Sequence, residues 1–193
     1  MRRIEITPGF PAFLLLLHVW GGSAFWPVLA AMSVHELAHI AALLLFGGRL
    51  EGLRLGFAQL TLRTGFLSVR AELVGTAAGP AVNLLCGCLL GRAAPVFAAA
   101  SLLLGAFNLL PLWPLDGGRL LRTALTAALG ARGETVSRFI EGAFLAAFAL
   151  IALTPALRQR AGLWPLAAAG LTLLRLGWMR HEEKAVAFPR GKR

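Results

Sequence analysis

Tyrosine is absent from this chain, aspartate occurs once and cysteine only twice. Charged residues make up 15% of the 193 positions, against 58% hydrophobic. So little polar side chain cannot coat a water-facing globule, and the bilayer is the natural solvent. The same shortage excludes disordered, collagen-like and coiled-coil chains. Cys86 and Cys88 are too few and too close for a disulfide framework and read as small apolar fillers. Acidic residues are scarce as well, 9 against 19 basic, which leaves a net charge of +10.

The placement of that charge decides its meaning. Six apolar segments stand out, at about 10–20, 25–46, 73–91, 94–110, 137–154 and 162–179. The stretches between them alternate in charge. Arg2, Arg3, Arg49, Arg54, Arg63, Arg70, Arg119, Arg122, Arg132 and Arg138 fall on one side, with the C-terminal basic cluster from Arg175 onward. Only Arg92, Arg158 and Arg160 fall on the other. This is the positive-inside asymmetry, and it predicts that both termini are cytoplasmic. No basic stripe interleaved with aromatics appears, so no nucleic-acid partner is expected. The expected architecture is an all-α polytopic membrane protein of six transmembrane segments, with the lipid bilayer as its first partner. Residues 1–180 read as one domain and 181–193 as a basic cytoplasmic tail. The first segment, short and preceded by two arginines, mimics a secretory signal; it is expected to be retained.

Two stretches depart from the apolar pattern. Residues 49–72 alternate apolar with polar, near period two, with Thr64-Gly65 as a turn signal. They predict a small β-hairpin or sheet at about 50–71, on the membrane surface between segments two and three. Residues 118–130 place Leu120, Leu121, Ala124, Leu125, Ala128 and Leu129 on one helical face, which predicts an interfacial helix ending at Gly130.

The chemistry is concentrated at His35-Glu36-Leu37-Ala38-His39. On a helix, residues four apart share a face, so both imidazoles can address one Zn²⁺ ion. Glu36 stands beside them, placed to accept a proton from water that the metal has acidified. With four His and eight Glu in the chain, chance supplies such a motif in roughly 0.3% of cases. Three ionisable groups in five membrane positions need compensation, and a cation supplies it.

Two imidazoles leave a catalytic zinc short of one protein ligand. Glu5, Glu51, Glu134, Glu182 and Glu183 fall in loops or tails. His18 reads as packed, and Glu72 and Glu141 sit at helix entrances. Asp116 has the more unusual setting, Asn108-Leu-Leu-Pro111-Leu-Trp-Pro114-Leu-Asp116-Gly117-Gly118. Two prolines forbid regular helix there and two glycines free the backbone after the carboxylate. A plainer role for Asp116 is the N-cap of the helix that follows. Charge-derived topology puts Asp116 and the two histidines at similar depth.

These residues resemble the site-2 protease family of intramembrane zinc metalloproteases. The likeness lies in His-Glu-x-x-His at 35–39 and Asn…Pro…Leu-Asp-Gly at 108–117. The bacterial branch containing the stage IV sporulation protein FB is the nearest in look. The Gly79-Pro80-Ala-Val-Asn83 segment and the short opening strand at Arg3–Ile6 are similar to that branch. The resemblance implies one Zn²⁺ per chain held by His35, His39 and Asp116, with Glu36 as catalytic base. It implies that Asn108 and Asn83 position substrate, and that Gly79, Pro80, Pro111, Pro114 and Gly117 shape the two structural motifs. It also implies a bacterial cell-membrane protease acting on a membrane-associated protein, such as a pro-sigma or other tethered regulatory factor, in sporulation or elsewhere. Regulatory membrane proteins and a second copy of the chain are further partners it suggests. One departure is that no CBS domain follows the last segment, which puts nucleotide regulation in doubt. Against the protease stand a zinc-binding membrane protein or transporter without proteolysis, a metal-free scaffold, and a serine protease built on Ser33 or Ser101. A transporter would favour symmetry-related polar sites, and only one is visible. The two serines lack a Gly-flanked setting and a paired distal His.

Overall fold

The computed structural model describes residues 3–56, 59–65 and 67–159. Strand β1 (Arg3–Ile6) leads into helix α1 (Gly9–Gly21), and a 3-10 turn at Gly22–Ala24 joins it to helix α2 (Phe25–Leu45). Gly22 makes that turn with φ +50°, a backbone conformation that side chains disfavour. Strands β2 (Leu50–Gly56) and β3 (Gln59–Thr64) follow. Helices α3 (Val69–Leu90), α4 (Pro95–Asn108), α5 (Asp116–Leu129) and α6 (Ala131–Gln159) complete the described chain.

The expected surface strands are present, with two changes. The sheet has the order β1-β2-β3, so the opening strand joins it, parallel to β2, while β3 is antiparallel. The reversal lies between Gly56 and Gln59, not at Thr64-Gly65. No third strand forms after β3 within the described residues. Ser68 instead caps α3, its hydroxyl accepting the Ala71 N–H at 3.2 Å with Glu72 in the first turn. That cap starts α3 at Val69, earlier than the apolar run alone indicates. Because β1 precedes α1 and β2 follows α2, their pairing makes the two helices an out-and-back excursion from one sheet.

Five of the six expected apolar segments lie on helices α1, α2, α3, α4 and α6; the sixth and the basic tail lie outside the described residues. Among the described residues, Gly9–Leu45 and Val69–Leu90 are long and apolar enough to cross a membrane. Helix α4, with 14 residues, rises only about 21 Å, short of a hydrocarbon core of about 30 Å. The expected interfacial helix is α5, which begins at Asp116 and ends against Gly130 at φ +61°.

Helices α2, α3 and α4 pack together as the centre. Their contact faces carry small residues, Ala31, Ala71, Ala98, Gly75, Gly79 and Gly105. The largest fully buried side chains are Asn83, Pro80 and Ser101, two of them polar. Large apolar side chains such as Trp20, Leu45, Leu103 and Phe139 face outward. Small and polar within, large and apolar without, is the arrangement that lipid surroundings favour. Cys86 is half-buried and Cys88 exposed, both as free thiols; the filler expectation fits the first better than the second.

Candidate metal centre

Helix periodicity brings His35 and His39 together on the buried face of α2. Their rings stand nearly perpendicular, with centroids 4.7 Å apart. Both Nε2 atoms face one point, 3.1 Å from each other. Asp116 reaches the same point from the start of α5, its Oδ2 lying 3.1 Å from His35 Nε2 and 3.2 Å from His39 Nε2. All three residues are buried. Three donors separated in this way match the edges, about 3.3 Å, of a tetrahedron with arms of about 2.0 Å, the length of a zinc–nitrogen bond. Two imidazoles and one carboxylate leave a fourth corner open, as a catalytic zinc site requires. The donor set therefore fits the ion.

The N-cap role considered for Asp116 does not hold. Leu115 is the capping residue and makes no side-chain cap, while Asp116 is the first helical residue and turns its carboxylate to the imidazoles. Asp116 arrives there because Pro111, Pro114 and the intervening residues form a compact loop. Leu112 N–H bonds Leu110 O at 2.7 Å and Leu115 N–H bonds Leu112 O at 2.8 Å. Gly117 and Gly118 let α5 start against this loop, since a Cβ on either would collide with backbone atoms of residues 109–113.

Helix α3 shapes the other wall. A Cβ at Gly79 would collide with His39 Nε2, so only glycine allows the imidazoles their position. One turn earlier, Gly75 O accepts His39 Nδ1–H at 2.8 Å, which leaves the Nε2 lone pair facing the metal position. The Gly75 carbonyl escaped sequence reasoning, although Gly75-x-x-x-Gly79 is a small-residue spacing that signals close helix approach.

The centre opens onto a cavity of about 700 Å³. Glu36 is half-buried and lines it beside the two histidines. Phe13, Leu17, Met32, Phe107, Phe144 and Phe148 supply much of its apolar wall. Thr64 at the end of β3 borders it, as do Glu72 and Arg119. Asn108 also lines it, and its amide donates to Leu104 O at 3.0 Å. Asn83 is absent from the lining and is wholly buried between helices. His18 packs edge-on against Phe25, with ring centroids 5.0 Å apart.

Glu141 gains a role that sequence reasoning did not assign. From α6 it accepts the Trp113 N–H at 2.9 Å, holding the loop that carries Asp116. A lone buried glutamate in an apolar helix was the available signal. Arg122 lies 5.1 Å over the Trp113 ring and pairs with Glu134 at 2.7 Å. Glu134 also takes a bond from Arg138, and these two guanidiniums, Arg138 first, hold its carboxyl below the usual glutamate range. Glu72 accepts from Thr123 at 3.1 Å, tying α5 to α3.

Residues 92–153 match the family model for peptidase family M50. A zinc metalloprotease of Methanocaldococcus jannaschii is 30% identical over 152 residues, covering 66% of this chain and 44% of that protein. Rip3 of Mycobacterium tuberculosis, a protein assigned as a zinc metalloprotease, is 32% identical over 205 residues, covering 93% of this chain and 50% of its own. The family model and the relatives lead to one family, the zinc metalloproteases of peptidase family M50. The M50 match takes in α4, the Asp116 loop, α5 and the described start of α6. This chain spans about half the length of the curated relatives it matches. Its fold is that of the solved site-2 protease from Methanocaldococcus jannaschii, with a TM-score of 0.66 and 23% identity over 100% of this chain and 96% of that one. The sequence likenesses are thus to zinc metalloproteases of family M50, and the solved neighbour shares the fold. The apolar helices agree with the membrane location of that family, and the His-His-Asp group with its zinc.

Proposed function

We propose that this chain is an intramembrane zinc endopeptidase that hydrolyses a peptide bond in or near the membrane segment of a protein substrate. The observation that carries the reading is the convergence of His35 and His39 with Asp116, 81 and 77 residues away in the chain, on tetrahedral edges beside Glu36 and an apolar cavity. His35 and His39 offer Nε2, and Asp116 a carboxylate oxygen. Zinc held there supplies Lewis acidity toward a scissile carbonyl and toward water. Glu36 takes the proton of the attacking water and returns it to the leaving amine. The apolar walls exclude bulk water and favour apolar substrate side chains. Asn108, beside the centre, holds substrate backbone. Strand β3 lies at the edge of the sheet. An unwound substrate can add there as a further strand, which presents its peptide bonds toward the cavity bordered by Thr64.

The finer reading follows the sequence resemblance. It has both termini in the bacterial cytoplasm and a membrane-tethered regulatory factor as substrate, with a pro-sigma factor as the narrow case. The test is cleavage of a tethered reporter in proteoliposomes, wild type beside Glu36→Gln, with zinc measured in both. Glu36→Gln should keep about one zinc and lower cleavage by at least ~10³-fold, as expected for loss of a general base. Wild-type cleavage by that variant would remove Glu36 from its role. Zinc binding without cleavage of any tethered reporter would favour a non-proteolytic zinc protein.

A further inference from the structure

Among the described residues, four buried side-chain polar atoms lack a hydrogen-bond partner: His35 Nδ1, both amide atoms of Asn83, and Ser101 Oγ. They belong to three residues on three helices, and packing places these within about one turn of one another. Along α3, the Gly75 position abuts Leu43 and the Gly79 position abuts His39 and then His35. The α2 number falls as the α3 number rises, so the helices are antiparallel. One turn beyond Gly79 stands Asn83, opposite His35 and Ala31. On α4, the Gly105 position abuts Pro80 and Leu84, while Gly87 abuts Ala98 and Leu102. Ser101 therefore stands within about one turn of Asn83, on the side toward Gly87. Asn83, Ser101 and Ala31 are each 0% exposed. The His35 Cε1 atom, which is bonded to Nδ1, lies 2.9 Å from a Cβ built on Gly79, so the ring faces α3.

We infer that Asn83 is the positioning partner of His35, its amide together with the Ser101 hydroxyl receiving the Nδ1–H of that imidazole. The inference rests on the zinc reading above and gives Asn83 a place in it other than substrate binding. A buried amide with no partner is strongly unfavourable between lipid-embedded helices, and a buried imidazole N–H is too. Each supplies what the other needs. His39 already has this support from the Gly75 carbonyl. A metal-bound imidazole is oriented by whatever accepts its second N–H, and loss of that acceptor typically weakens metal binding by ~10–100-fold. With Asn83 in place both imidazoles are held from α3, one by a backbone carbonyl and one by a side chain. The absence of Asn83 from the cavity lining follows naturally, because it serves the face of His35 turned away from substrate.

The experiment uses the full chain in detergent or nanodiscs and reads metal, not cleavage. Zinc affinity is measured by chelator competition, and the visible d–d spectrum is recorded after loading with Co²⁺. Asn83→Leu keeps the branched heavy-atom skeleton and removes the polar atoms, while Asn83→Asp restores an acceptor. Asn83→Leu should bind zinc ~10-fold or more weakly, with an altered cobalt spectrum, and Asn83→Asp should recover much of both. A purely packing role predicts the reverse order, since leucine fills the space and a buried carboxylate disturbs it. Zinc affinity and cobalt spectrum within twofold of wild type in Asn83→Leu would overturn the inference while leaving the zinc reading intact. Should that variant fail to fold, ¹⁵N-histidine NMR of the zinc-loaded wild type decides. A hydrogen-bonded, slowly exchanging Nδ1–H on His35 sustains the inference, and a rapidly exchanging one ends it. A wild type that binds no zinc at all would remove both readings together.

Discussion

The two halves of the metal centre are built on different principles. His35 and His39 come from one uninterrupted helix, and their spacing is a property of the α-helix itself. Asp116 comes from a loop bounded by two prolines and two glycines, and nothing periodic places it. The helix half is held by close backbone approach, with glycines of α3 against the imidazoles. The loop half also has close contacts, where Gly117 and Gly118 meet the backbone of residues 109–113, and it adds polar ties to Glu141 and Glu72, from α6 and α3. Close packing tolerates no added atom, whereas a tied loop tolerates movement until a tie is cut. The helix half should therefore fail abruptly, and the loop half in grades wherever a polar tie is what is cut.

Gly79→Ala should have the largest effect. Its methyl group would occupy the space of His39 Nε2, and both imidazoles would have to turn away or the helices part. Zinc affinity should fall by ~100-fold or more, measured by chelator competition. Near-normal affinity in Gly79→Ala would mean that α2 and α3 are not locked, and the contrast would collapse. Gly117→Ala comes next. Its methyl group meets the Leu109 backbone, so the loop must shift and carry Asp116 with it. The two histidines remain in place, and weak zinc binding should survive with ~10–100-fold lower affinity. A cobalt spectrum in which nitrogen ligation persists and the carboxylate is lost would show the halves failing separately.

That division also marks what the sequence disclosed. His35, Glu36 and His39 were legible because a local spacing on one helix fixes a shared face. Asp116 was legible as the sole aspartate in a loop of irregular backbone. The roles of Gly75 and Glu141 were not legible, because both depend on which helices pack together. A carbonyl becomes an acceptor for His39 only once α3 lies against α2. The start of α3 lies earlier than its apolar run indicates, for a related reason. Ser68 ends the alternating pattern and caps the helix, but its local signal competes with strand-like residues on either side. The hairpin turn differs from the sequence signal because Thr64-Gly65 favours a turn while strand register, set across to β1, puts the reversal elsewhere.

A cut in one tie tests the graded half. Glu141→Leu removes the acceptor for Trp113 N–H, whereas Glu141→Gln keeps a carbonyl oxygen in reach. The leucine variant should weaken zinc binding by ~10-fold, and the glutamine variant by less than ~3-fold, as expected for a group that acts through a ligand-bearing segment. Equal effects of the two would assign Glu141 to charge and not to hydrogen bonding. No effect of either would mean that the prolines and glycines hold the loop unaided.

The smallest effect belongs to Glu134, which touches the loop only at one remove, through Arg122 and the Trp113 ring. Exposed pairs of this kind contribute little, because solvent and salt screen them. Their contribution still has a sign. The folded carboxyl is held below the usual glutamate range by Arg138 and Arg122. Its stabilisation is therefore complete above the unfolded-state pKa and is lost as pH falls through the lower, folded value. Thermal unfolding of wild type and Glu134→Gln should differ slightly near neutrality and converge in acid. Zinc affinity should stay within ~2-fold, because the pair is screened and lies outside the set of donors. A large loss of zinc in Glu134→Gln would show instead that the Arg122–Trp113 contact is a main support of the loop. The polar ties would then have to be ranked again, with the α5–α6 contact above the Glu141 bond.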